Sequence, residues 1–171
     1  MLLHANVHVL RPPGELDYYD SRSVMLARAI SPLEAWNIIM ARPNPVLRAA
    51  FRIRDAISAY FGVRRIGGFT GRPRSEVKTG DHLDFFLVEH VARDALVLTV
   101  RDSHLDVMTC ISATGREVTV TSSVVTHNAF GRLYMVPVGP AHRLIVNGML
   151  RRLRRHPSAK TPNDLPDQPA P

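Results

Sequence analysis

Between residues 82 and 127 the chain carries four β-type segments in succession, and only one long amphipathic segment comes after them. Alternation and β-branched content mark strands at about 82–91, 95–101 and 104–113. "ATGR" then makes a tight turn, and "EVTVTSSVVTH" (117–127) returns beside the third strand. A lone helix that follows an antiparallel meander has one large apolar surface to bury against, the inner face of the sheet. This order predicts an α+β fold of the helix-grip kind, in which the sheet wraps the terminal helix and a cavity lies between them.

The remaining segments fit that frame. "DSRSVMLARAI" (20–30) reads as a first strand. Ser31 is a helix N-cap, Pro32 the first helical residue and Glu34 the partner in a capping box, for a helix running to about Arg42. Asn44 and Pro45 restart a second short helix that Gly62 ends. Residues 63–81, rich in Gly, Arg and Pro, predict a short strand and a mobile loop. "NAFGRLYMVPVGP" (128–140) reads as a helical turn and a linker, so the last helix is expected from Pro140 to just before Pro157. Residues 1–156 are expected to form a single domain. The Pro-rich, polar tail at 157–171 has no periodicity and is expected to be disordered.

Composition narrows the function classes. The net charge is +7, but residues 151–171 alone hold +3 of it, leaving +4 on the 150 residues before them. So mild an excess argues against a nucleic-acid partner. "RRLRR" (151–155) fits cations at a helix C-terminus. The apolar runs are too short for an integral membrane segment, and "MLLHANVHVLRPPGE" makes a poor signal peptide. Cys110 is the only cysteine, which points to a reducing cytoplasm as the expected setting.

The polar residues that could line a site are few. With Thr114–Gly115 as the two-residue turn, His104 lies opposite Val125 and Asp106 opposite Ser123. Leu105, Val107, Thr109 and Ile111 then share the core face with Val124, Ser122, Val120 and Val118. His104 and Asp106 share the other face with His127 just beyond. They point away from the helix, or line the cavity if a β-bulge reverses the alternation. In the last helix Val146, Met149, Leu153 and Ile145 fall within about 60° of His142 on a helical wheel. His142 is therefore expected to face the sheet, with Arg151, Arg154 and Arg155 on the outside. His104, Asp106, His127 and His142 include zinc-compatible ligand types but form no compact ligand motif, so neither a metal nor another cofactor is expected. Ser122, Ser123 and Cys110 lie mid-strand with no nucleophile-elbow motif, and no catalytic residue is assigned.

Several motifs together resemble a known family. "RDAISAYFG" (54–62), "HLD" (104–106), "VVTHNAFGRLYM" (124–135) and "VGPAHRLIVNGML" (138–150) are similar to the bacterial domain of unknown function 2867, over roughly residues 16–155. The resemblance implies a START-like, Bet v 1-type fold that binds hydrophobic ligands, and it adds Asn128 and Tyr134 to the candidate ligand-binding residues. Members also occur fused behind Rossmann domains resembling nucleotide-sugar epimerases, but no G-x-G-x-x-G follows a strand in this sequence. Ala141 stands where the family has an aromatic residue. The family brings no reaction.

Fold order and resemblance together predict a small hydrophobic or amphipathic ligand in an internal cavity. The alternatives are a cavity enzyme, a cyclase, hydrolase or isomerase using a His–Asp general base, and a structural or interaction module. Oligomeric state and ligand identity stay open.

Overall fold

The computed structural model describes residues 6–41 and 69–157. Six strands form one antiparallel sheet in the order β1-β6-β5-β4-β3-β2. They are β1 (Tyr18–Met25), β2 (His82–Leu83), β3 (Phe86–Val91), β4 (Ala95–Arg101), β5 (Leu105–Thr114) and β6 (Glu117–Thr126). Helix α1 (Pro32–Met40) follows β1, and a 27-residue helix, α2 (Ala129–Arg155), follows β6. Both helices pack on one face of the sheet, α2 along β1 and β6 and α1 over β4 and β5. This is the expected α+β helix-grip arrangement. The second short helix expected at about 44–61 and the tail from 158 onward lie outside the described residues. The short strand expected within 63–81 does not occur in 69–81.

Local chemistry explains the element ends. The Ser31 hydroxyl accepts from the backbone N–H of Glu34 at 3.1 Å, with Pro32 in the first turn where its missing N–H costs nothing. The Glu34 carboxylate pairs with Arg28. The first strand begins and ends earlier than expected, at Tyr18 and Met25. The expected strand at 82–91 is a small hairpin, because Asp84 turns the chain with φ 57° and Leu83 pairs with Phe86.

The β5–β6 hairpin also differs from expectation, by two residues. Gly115 and Arg116 are its central pair, with Gly115 at φ 58° and Thr114 opposite Glu117. Asp106 consequently lies opposite Val125 rather than Ser123. A shift of two leaves every side chain on its expected face, so Ile111, Val118 and Val120 enter the core beneath the helices. The register runs unbroken from Leu105 to Thr114, and the described sheet's irregularity lies instead in β3, between Val88 and His90.

The last helix starts eleven residues before the expected Pro140. Asn128 caps it, Oδ1 accepting from the N–H of Gly131 at 2.9 Å. Pro137 and Pro140 lie inside it. Each removes a bond to the carbonyl four residues earlier, that of Leu133 and of Val136, and both of those residues are exposed where water can serve instead. The C-terminal half follows the expected stripe. Val146, Leu150 and Leu153 are buried, Met149 packs on the core, and Arg151, Arg154 and Arg155 are exposed.

The other face of the sheet is covered too. Leu10 packs on buried Val97, Met108 and Cys110, its N–H donates to Ser123 Oγ at 3.1 Å, and Cys110 Sγ reaches the carbonyl of Asn6. Residues that alternation alone assigns to solvent are thereby buried.

Candidate functional site

A partly open cavity of about 180 Å³ lies between the sheet and the N-terminal half of α2. Its sheet wall is the inner face, including Val100, Val107 and Val124. The helix contributes Phe130, Tyr134, Val138 and His142, a stripe at four-residue spacing. Phe85 and Phe86 from the β2–β3 turn also line it, and they continue into an aromatic cluster in which Trp36 meets Phe86 edge-on at 5.8 Å.

One end is built by a turn. Asp102 Oδ1 accepts from the backbone N–H groups of His104 (2.7 Å) and Leu105 (3.1 Å), an Asx turn that bends the chain just before β5. His104 lies in that bend and escapes the strand's alternation, so it lines the cavity. The amide of Asn128 is oriented by Gly131 N–H and by the carbonyl of Ser103, to which Nδ2 donates at 3.1 Å. Nδ2 therefore also donates to His104 Nδ1 at 2.9 Å, which puts the proton of neutral His104 on Nε2. Phe130 packs edge-on against His104 at 4.7 Å. Gly131 makes this possible, since a Cβ there would lie 2.3 Å from the His104 carbonyl oxygen.

The other end joins β1 to α2. The Tyr18 hydroxyl lies 3.2 Å from the carbonyl oxygen of Gly139 and 3.3 Å from Nδ1 of His142, whose ring stands edge-on to it at 5.7 Å. Gly139 again permits the approach, because its missing Cβ would sit 3.2 Å from the Tyr18 ring. Burial pushes the Tyr18 hydroxyl above its ordinary pKa, with Asp20 adding to the effect. Burial pushes His142 below its ordinary pKa and Arg22 acts in the same direction, against the opposing pull of Asp20. The phenol is thus held protonated and the imidazole neutral. Asp20, buried, accepts from Arg22 Nε at 2.8 Å, and Arg143 lies 3.8 Å away.

The structure thus divides the six candidates. His104, Tyr134 and His142 line the cavity, and Asn128 holds His104 while capping the helix. Asp106 and His127 meet on the opposite face of the sheet at 3.1 Å, beside Arg101. The expected His104–Asp106–His127 cluster does not form, because the bend at His104 turns it inward and no bulge turns Asp106. Among the described residues no three His, Cys, Asp or Glu side chains converge as metal ligands. Tyr18, Asp20 and Phe130 were not singled out by sequence, and Ser122 was placed on the inner face and weighed only as a nucleophile. Phe130, Tyr134, Val138 and His142 share a four-residue spacing that could have revealed the stripe had the helix been started at Asn128.

Every residue that lines this cavity falls within 13–149, the span matched by the family described as "Protein of unknown function (DUF2867)". The chain belongs to the DUF2867 family. Curated proteins give no match. Among solved structures, a crystal structure of a hypothetical protein from Helicobacter pylori is similar at 13% identity and a TM-score of 0.42, covering 88% of this chain and 98% of its own. Among the described residues no helix is long and apolar enough to cross a membrane.

Proposed function

We propose that the protein binds a small apolar or amphipathic molecule in the cavity between the sheet and α2. The observation that carries this reading is the cavity's composition. It has aromatic and aliphatic walls from three parts of the fold and a few convergent polar groups, the pattern of a small-molecule site. A volume of about 180 Å³ is below the range for drug-sized ligands, so the occupant is of single-ring size. The START-like affinity implied by the sequence motifs points the same way, and a cytoplasmic setting agrees with the free, buried thiol of Cys110.

One observation favours a second reading, catalysis in the same cavity. His142 is kept neutral by burial and positioned by Tyr18, as a general base must be. Its electrostatic partner is Asp20, not Asp106.

The test is native mass spectrometry of the protein purified from its source, paired with Val138→Trp, which fills the cavity from the helix side. A retained molecule in the wild type that is absent from the folded variant supports the proposal. Equal retention in both, or no retained molecule together with no binding of any apolar compound tried, refutes it.

A further inference from the structure

Ser122 is fully buried, lines the cavity and makes no side-chain hydrogen bond among the described residues. Its neighbours on the inner face explain this. It pairs with Asp20 on β1 and Thr109 on β5, and the Asp20 carboxylate is already taken by Arg22. A buried hydroxyl without a partner is unfavourable unless something else supplies the bond. Ser122 turns about a single torsion, so its oxygen can be re-aimed toward the cavity as donor or acceptor.

A second polar group lies at the same end. Tyr18 pairs with Val124, which makes it the diagonal neighbour of Ser122 on the inner face. Its hydroxyl engages Nδ1 of His142, while Nε2 of His142 has no hydrogen bond among the described residues. Ser122 Oγ and His142 Nε2, two neutral hydrogen-bonding atoms with no partner among the described residues, therefore both belong to the Tyr18 end of the cavity, away from His104. Among the described residues the cavity wall contains no Lys or Arg, and its one carboxylate, Asp102, holds backbone N–H groups at the far end. Arg22 and Arg143 lie near this end but are paired with Asp20, so an anionic ligand would find no uncommitted counter-charge there among the described residues. The volume is slightly larger than the roughly 150 Å³ known to hold benzene.

We infer that this end of the cavity recognises the oxygen of a neutral, single-ring-sized apolar molecule bearing one hydroxyl or carbonyl group, through Ser122 Oγ and His142 Nε2. The inference rests on the ligand-binding reading above and names the chemical class of ligand for that site. Phe130, Tyr134 and the valines of the inner face take the ring.

The experiment is a titration followed by ¹H–¹⁵N NMR, with benzyl alcohol, toluene, benzoate and benzylamine as ligands, on the wild type and on Ser122→Ala. Benzyl alcohol is expected to bind the wild type about fivefold tighter than toluene, the worth of one neutral hydrogen bond, and both charged analogues more weakly than either. Ser122→Ala should keep or raise the melting temperature, because it removes an unpartnered hydroxyl. It should lose about fivefold in benzyl alcohol affinity and leave toluene unchanged. Toluene equal to benzyl alcohol, a charged analogue binding tightest, or Ser122→Ala with unaltered preference would each overturn the inference while leaving the cavity a binding site. Failure of all four compounds would instead overturn the ligand-binding reading and the inference with it. The comparison of the two neutral ligands on the wild type stands whether or not the variant folds.

Discussion

The hydroxyl of Tyr18 lies 3.3 Å from Nδ1 of His142 and ties the edge strand of the sheet to the helix that covers it. The contact spans 124 residues of sequence and depends on Gly139, whose bare Cα lets the helix settle onto the Tyr18 ring. It keeps the imidazole in one orientation at the cavity wall.

That arrangement makes stability depend on pH. The His142 pKa is lower in the folded protein than its ordinary 6.5, chiefly through burial, so the unfolded chain binds the proton more tightly. Stability is complete above about pH 6.5 and is lost as pH falls through the folded value. Urea titrations at pH 7.5 and 5.5 should show this decline in the wild type and a smaller one in His142→Asn. An equal decline in both would assign the effect to other groups. Tyr18→Phe should cost about 0.5–1.5 kcal/mol at pH 7.5.

Gly131 and Asn128 hold the opposite end. Gly131→Ala brings a methyl group within 2.3 Å of the His104 carbonyl oxygen, so backbone must move, at a cost of about 1–3 kcal/mol. Asn128→Ala removes the helix cap, worth about 1 kcal/mol, and also frees His104. Chemical denaturation measures both. Loss of the Asn128 contact should also alter the NMR signals of the His104 ring, whereas an unmoved ring would mean that Phe130 alone fixes it.

How far the sequence could be read is clear from particular residues. Alternation placed Val107, Val118, Val120 and Val124 on the inner face, and the shift of the hairpin by two residues did no harm because side chains repeat every two. Ser31, Pro32 and Glu34 fixed the start of α1. Pro137 and Pro140 misled, since a proline removes one helical bond but leaves a long, partly exposed helix intact. Misplacing that start hid Phe130 and Tyr134 from the stripe that contains His142. His104 was misread because Asp102 bends the chain before the strand begins. Alternation placed Ser122 on the inner face but could not show that its hydroxyl lacks a partner, and Asp20 carried no signal, because their pairing joins residues about a hundred positions apart.

Leu153 tests the packing of the helix on the sheet. It is fully buried beside Val146 and Leu150, whereas Arg151 is exposed. Leu153→Ala should cost about 2–5 kcal/mol and Arg151→Ala less than about 0.5 kcal/mol. Similar losses for the two would mean that the helix is rotated.

Cys110 reports on the N-terminal segment across the outer face. Burial pushes its thiol above the ordinary pKa, and Leu10 packs on the cluster that contains it. Native protein should react with a thiol reagent many times more slowly than unfolded protein. Leu10→Ser should speed the reaction without unfolding the sheet. Fast labelling of the wild type would show that the cover opens readily.

Asp106 and His127 distinguish the two faces of the sheet. His127 Nε2 lies 3.1 Å from Asp106 Oδ1 at a side-chain exposure of 37% against 19%, and Arg101 reaches both Asp106 and Glu89. Water screens such a pair, so its contribution is about 0–1 kcal/mol. Neither residue lines the cavity, and the sheet separates them from His142. Asp106→Asn and His127→Ala should therefore lower stability by at most that amount and leave benzyl alcohol affinity unchanged. His104→Ala, made inside the cavity, should instead alter binding, because it removes a wall that Phe130 packs against. Calorimetry on the three variants decides the matter: binding lost with Asp106→Asn but kept with His104→Ala would move the functional site to the outer face.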